Sequence, residues 1–287
     1  MISREIEFHA PGTLAEALEL LASRGDDVTV LSGGMSLLPM MNLGIVKPEL
    51  VLSLNHVSGL DGIAEDDGRL VLGGMVRHAR VASSPLIARH CPALAEAARV
   101  VGDVQVRNRG TIGGSLAHAD PAADYLPVLA AVGASVRLRS AGGERTLAVE
   151  EFLIDIMTTA REPSELVTAV VVPKAPAGQG AAYKRLARVE GSFAIVNAAA
   201  VVAGDGASAT VSLGGVGPSP VTLDVSEHVR GGIDEAALRA VGDAAYQASD
   251  QATGDVMTDA DYRREMARVF ARRALAEAAE RAREADR

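Results

Sequence analysis

Val28-Thr29-Val30-Leu31-Ser32-Gly33-Gly34-Met35-Ser36-Leu37 is the stretch on which the reading of this chain turns. Its first four residues are apolar or β-branched and make a short strand. The strand runs directly into a Gly-Gly turn, and residues 37–43 then have the makings of a short helix. Without Cβ atoms, successive backbone N–H groups can point the same way and receive an anion. A helix start placed just after them adds a favourable dipole, and Ser36 can add a hydroxyl. A second segment, Thr111-Ile112-Gly113-Gly114-Ser115, has the same make-up, with Thr111 as its hydroxyl donor. Either segment alone is well explained as a tight turn. Two of them in neighbouring units make a cradle for a pyrophosphate an equal contender, and the residues by themselves leave both readings open.

Working outward, residues 14–24 form a helix. Thr13 and Glu16 supply a capping box, Leu14, Leu18 and Leu21 an apolar stripe, and Gly25 the stop. Residues 50–54 and 70–72 read as strands, residues 92–101 as a helix. Asp120-Pro121 has the signature of an N-cap followed by a first-turn proline, so a helix is expected from there to about Val132. Strands follow at 135–139 and 166–172. Pro176-Ala177-Gly178-Gln179-Gly180 is the clearest linker. Beyond it, strands are expected at 181–189, 194–202 and 208–213, with Asp205-Gly206 as a hairpin turn. Helices are expected at 234–248 and from Asp259 to near the end, where Arg272 to Arg287 reads as a solvated helix face. Three units result: 1–58, 59–175 and 176–287.

The bulk numbers exclude several function classes. Net charge is −9, so there is no basic footprint for nucleic acid. No apolar stretch approaches the roughly 20 residues of a membrane helix. The opening Met1-Ile2-Ser3-Arg4-Glu5 carries charge where a secretory leader needs an apolar run, so a cytoplasmic setting is expected. Cys91 is the single cysteine, which rules out an internal disulfide, an iron–sulfur cluster and a thiolate zinc site. Neither glycine segment has the Gly-x-Gly-x-x-Gly spacing of a Rossmann site or the Gly-x-x-x-x-Gly-Lys-Ser/Thr of a P-loop. His118, Asp120 and Asp124 suggest a metal only weakly: the two carboxylates suit a helix start, and no metal is expected. No nucleophile with a base is recognisable, so no catalytic residue is assigned. Taken alone, Lys184 is a solvent-facing strand lysine and Phe193 a core residue.

The residues from Ser32 to Met41 resemble the first FAD loop of the medium subunit of aerobic carbon monoxide dehydrogenases, and those from Arg109 to Asp124 resemble the second. The same flavoprotein domain occurs in xanthine dehydrogenases and related molybdenum hydroxylases, and Ser212-Leu213-Gly214-Gly215-Val216-Gly217-Pro218-Ser219-Pro220 resembles the turn of that family's C-terminal domain. The resemblance runs in order over nearly the whole chain. It implies an α+β protein with a two-subdomain FAD-binding fold similar to the vanillyl-alcohol oxidase type, plus a C-terminal domain of a small antiparallel sheet and helices. It also implies that Leu31, Ser32, Gly33, Gly34, Met35, Ser36 and Leu37, with Thr111, Ile112, Gly113, Gly114 and Ser115, face the ADP and pyrophosphate of FAD. Asp124 and Val167 are then expected near the cofactor, Lys184 near the polar edge of the flavin ring, and Phe193 beside it. Met35 stands where some relatives have His or Gln, and Ser115 where some have Asn. The activity implied is electron relay: an iron–sulfur small subunit delivers electrons drawn from a molybdenum-cofactor large subunit, and FAD passes them to NAD, a quinone or oxygen. Alternatives are a free-standing FAD-dependent oxidoreductase of the same fold and a cofactor-free interaction protein.

Overall fold

A computed structural model describes residues 5–256 and 258–285. The first unit consists of β1 (Glu7–His9), α1 (Leu14–Arg24), β2 (Val28–Leu31), α2 (Leu37–Asn42) and β3 (Leu50–Ser53). Its strands form a parallel three-stranded sheet in the order β1-β3-β2. The capping box of α1 is formed: Thr13 Oγ1 accepts from the Glu16 N–H, while the Glu16 carboxylate accepts from the Thr13 N–H. Gly25, at φ +47°, ends the helix.

The second unit begins with β4 (Ile63–Asp66) and β5 (Arg69–Gly73). Six helices follow: α3 (His78–Ser83), α4 (Pro85–His90), α5 (Pro92–Val100), α6 (Val104–Arg109), α7 (Ile112–His118) and α8 (Tyr125–Ala131). Then come β6 (Ser135–Ser140), β7 (Gly143–Ala148), α9 (Val149–Phe152), β8 (Leu153–Asp155), β9 (Thr158–Thr159) and β10 (Leu166–Pro173). β4, β5, β10, β6 and β7 make an antiparallel sheet in that order. The core between this sheet and the helices contains Leu72, Leu94, Ile112, Leu116, Tyr125 and Phe152. The helix expected from Asp120 starts instead at Tyr125. Asp120 accepts from the Ala122 N–H in a local turn. The carbonyls of Pro121 and Ala123 accept from Gly215 N–H and Asn197 Nδ2 of the third unit, so they are not available to a helical ladder.

The third unit is a meander of β11 (Gly180–Ala187), β12 (Ala194–Val202), β13 (Ala209–Gly214) and β14 (Val221–Asp224). α10 (Ser226–Val229), α11 (Glu235–Ala248) and α12 (Ala260–Ala285) complete it. The expectation that the last helix is a solvated face is corrected here. Ala271, Ala274, Leu275, Ala278, Ala279 and Ala282 are buried in a core with β11 to β13, and the small side chains let helix and sheet approach closely. The sequence expectation for this helix reached Arg287, and its last two residues lie outside the described residues. The α+β class, with two sheets and their helices followed by a small antiparallel sheet with helices, is as expected.

Candidate functional site

β2 delivers the first glycine segment. The Leu54 N–H closes on the Leu31 carbonyl at 2.9 Å, after which the chain leaves the sheet. Gly34 turns it at φ +78°, a region costly for other residues. α2 starts as Leu38 N–H donates to Gly34 O at 3.1 Å. Among the described residues, no acceptor takes the N–H groups of Gly33, Gly34, Met35 and Ser36. Gly33 and Gly34 are buried. Buried backbone donors are rarely left unpaired, so this run of open N–H groups fits an anionic ligand.

The second segment is built differently from the first. The sequence expectation was a strand feeding a glycine nest; the structure has α6, then an extended Gly110-Thr111, then Gly113 and Gly114 inside the first turn of α7. Its donors are engaged. Ile112 N–H bonds Val76 O at 3.0 Å, Gly113 N–H bonds Gly74 O at 3.0 Å, and Ser115 N–H bonds Thr111 O at 3.0 Å. Gly114 N–H bonds the capping Thr111 Oγ1 at 3.1 Å. These glycines therefore serve close approach instead of donating outward. A Cβ on Gly113 would lie 2.7 Å from Gly74 Cα, and one on Gly114 would lie 3.4 Å from Ser32 Cβ. A Cβ on Gly33 would lie 2.6 Å from Gly110 Cα. The two segments thus touch, backbone on backbone. What the second presents is the half-buried Ser115 and a flat glycine surface.

Three residues that no motif marks lie at this junction. Arg77 donates to the Arg109 carbonyl and, at 2.9 Å, to Asn55 Oδ1. Asn55 Nδ2 donates to Ser32 O at 3.1 Å. His78 lies under Gly110: its N–H donates to Gly110 O at 3.0 Å, and its Nδ1 is 2.9 Å from the Tyr125 hydroxyl. Burial, with Arg77 and Arg107 nearby, brings the His78 pKa down to about 4. Nothing in the residue types or spacing of these three could have flagged them.

The remaining expected residues are spread out. Val167 lies behind the second segment: a Cβ on Gly74 would collide with its carbonyl oxygen. Asp124 is 6% exposed; its carboxylate accepts from the Tyr183 hydroxyl at 2.5 Å and from Arg185 at 3.1 Å. Burial raises the Asp124 pKa, against the opposing pull of Tyr183 and Arg185. Lys184 lies between Tyr183 and Arg185 on β11, so it points to the opposite face, where it pairs with Glu277 of α12. The structure does not bring Lys184 to the glycine segments. Phe193 is not the core residue its composition suggested: it is 57% exposed, beside Ser192, whose carbonyl is held by Arg185 at 2.9 Å. Among the described residues no group of His, Cys, Asp and Glu is arranged for a metal ion. Cys91 is buried, with its pKa pushed up to about 12 by burial.

Residues 4–175 match the family described as the FAD binding domain in molybdopterin dehydrogenase, and residues 181–278 match the CO dehydrogenase flavoprotein C-terminal domain. The chain is 37% identical to the 6-hydroxypseudooxynicotine dehydrogenase complex subunit alpha of Paenarthrobacter nicotinovorans, over 94% of this chain and 93% of that one. It is 36% identical to the carbon monoxide dehydrogenase medium chain of Hydrogenophaga pseudoflava, over 96% and 97% of the two chains. Its fold is similar to a chain of the solved carbon monoxide dehydrogenase of Hydrogenophaga pseudoflava that lacks the Mo-pyranopterin moiety of its cofactor. There the TM-score is 0.92 at 36% identity, covering 98% of this chain and 99% of that one.

Proposed function

This chain belongs to the family of FAD-binding medium subunits of molybdenum hydroxylases, an oxidoreductase flavoprotein, and from that premise we propose how it holds FAD and where its electrons travel. Residues 32–37 hold the pyrophosphate through their N–H groups. Ser115 and the flat surface of Gly114 hold the ADP portion alongside. The observation that carries this reading is the row of open N–H groups from Gly33 to Ser36, lying against the second segment. Bound FAD supplies the ability to take up electrons and hand them on. The protein's task is to hold and orient it.

The electrons come from an iron–sulfur small subunit, which draws them from a molybdenum-cofactor large subunit; the final acceptor is NAD, a quinone or oxygen. The single buried cysteine supports this division, since the chain has no thiolates for a cluster of its own. The net charge of −9 and the lack, among the described residues, of a helix long and apolar enough to cross a membrane agree with a cytoplasmic complex.

The test is the flavin spectrum of the purified chain and of a Gly33→Val/Gly113→Val double variant. Valine at these positions meets Gly110 and Gly74 backbone, so the segments must part and FAD is lost. Full FAD occupancy in the double variant refutes the assignment. Co-purification with the large and small subunits, read by size-exclusion chromatography, checks the electron route. A solitary chain that oxidises a small substrate by itself overturns it.

A further inference from the structure

Asn55 and Arg77 belong to neither glycine segment, yet they connect the two. Arg77 donates to the Arg109 carbonyl, just ahead of Gly110-Thr111, and at 2.9 Å to Asn55 Oδ1. Asn55 Nδ2 donates to the carbonyl of Ser32, which opens the first segment, at 3.1 Å. The same nitrogen lies 3.0 Å from Ser53 Oγ at the end of β3. A continuous chain of hydrogen bonds therefore runs from Ser32 O through Asn55 and Arg77 to Arg109 O. We propose that Asn55 and Arg77 are positioning residues that fix the spacing of the two glycine segments and thereby set the affinity for FAD. This rests on the reading above that the segments hold the cofactor's phosphate end.

The chemistry of each member suits this task. Guanidinium only donates, and its planar fork presents nitrogens in fixed directions, so one arginine can grip two acceptors at once. Because Arg77 can only donate, it fixes which end of the Asn55 amide it meets, and the amide nitrogen is left to donate to Ser32. The segments themselves meet through glycine: Gly33 lies on Gly110, and Gly114 faces Ser32. Such contacts permit close approach but have no interlocking side chains to define it. Neither Asn55 nor Arg77 is part of a hydrophobic core. Both are half-buried at the seam between the first parallel sheet and the second unit. The isolated bridge between Arg77 and Thr111 places the arginine's backbone against the second segment as well. Loss of the chain of bonds should then loosen the cofactor more than the fold.

The test measures FAD dissociation from the full-length flavoprotein, followed as recovery of flavin fluorescence on dilution, in wild type and in Asn55→Ala, Arg77→Ala and the double variant. Each single change is expected to weaken FAD binding about tenfold, the size of one lost charge-assisted hydrogen bond. The double variant should be no weaker than the weaker single, because either cut opens the same chain of bonds. Arg77→Lys keeps the charge without the fork and should recover only part of the loss. Asn55→Asp keeps the shape and the bond from Arg77 but cannot donate to Ser32, so it should behave like Asn55→Ala even if the truncated variants fold poorly. Unchanged affinity, a multiplied loss near a hundredfold in the double variant, or full recovery by lysine overturns the proposal. Gly33→Ala is the control for the underlying reading. If it too leaves FAD affinity unchanged, the segments are not the cofactor site. If it alone weakens binding, the site stands and the tie does not.

Discussion

His78 shows what a single buried side chain adds beneath the site. Its ring lies under Gly110 against Tyr125, facing Arg77 and Arg107, and its pKa is about 4, against an ordinary value near 6.5. Between those two values the unfolded chain binds the proton and the folded chain does not. Stability from this group is therefore complete above pH 6.5 and is lost as pH falls toward 4, by up to about 1.4 kcal/mol per pH unit. Urea unfolding of wild type and His78→Phe at fixed FAD concentration should show the gap between them narrowing across this window as pH drops. Parallel curves would mean that His78 does not titrate this way. Residue-scale legibility was uneven for a physical reason. The glycines stood out because two Gly-Gly segments of the same make-up occur in one chain, although either alone reads as a tight turn. Whether their N–H groups are open depends on partners such as Gly74 and Val76, which are distant in sequence and ordinary in type. Asn55 and Arg77 escaped notice for the same reason, being common polar residue types joined across 22 positions.

At the scale of elements, the long ones and the short ones flanking the first glycine segment were legible, while several other short helices were not. β12, spanning Ala194–Val202, and α11, capped by Asp234, are fixed by their own patterns of apolar residues and caps. The six-residue helices α3, α4 and α6 are too short to hold themselves and exist through tertiary packing, which local sequence does not display. α12 misled in another way. Its alanines look like a solvated helix by composition, yet they form the face on which the last sheet rests. The contact is close at Gly180 on β11, where a Cβ would lie 2.5 Å from the Ala282 nitrogen. Ala278→Leu is accordingly predicted to cost about 1–3 kcal/mol by overpacking. Thr13→Ala, which removes the α1 cap, should cost about 1 kcal/mol. Urea midpoints check both, and a neutral Ala278→Leu would mean that α12 stands off the sheet. FAD affinity should be unchanged in Thr13→Ala, whose cap makes no contact with either glycine segment.

At the scale of the whole molecule, the question is how the last sheet is held against the second unit. The Pro and Gly content of residues 176–180 suggested a linker, but what joins the chain on either side of it was not legible, since those contacts link residues 59 to 85 positions apart. Arg185 is the centre of that junction. It bonds the Val100 carbonyl at 2.8 Å, the buried Asp124 carboxylate at 3.1 Å and the Ser192 carbonyl at 2.9 Å. Its side chain is 11% exposed and that of Asp124 is 6% exposed, so the pair is well shielded from water. Breaking such a pair leaves a buried charge without its partner, at a cost of about 3–5 kcal/mol. Arg185→Met is therefore predicted to lower stability by roughly this amount. It should also speed amide hydrogen exchange at residues 188–193, the loop whose Ser192 carbonyl the guanidinium holds. Exchange in β2 and β3 should stay as in wild type, because the first sheet has no bond to Arg185. Tyr183→Phe, which removes a neutral hydroxyl and keeps the ion pair, should have a smaller effect on both measurements. If residues 188–193 exchange equally slowly in wild type and Arg185→Met, this guanidinium does not hold the loop, and the junction rests on its other bonds, such as Gly215 N–H to Pro121 O, and on the apolar contact at Ala181, Tyr183 and Ala199.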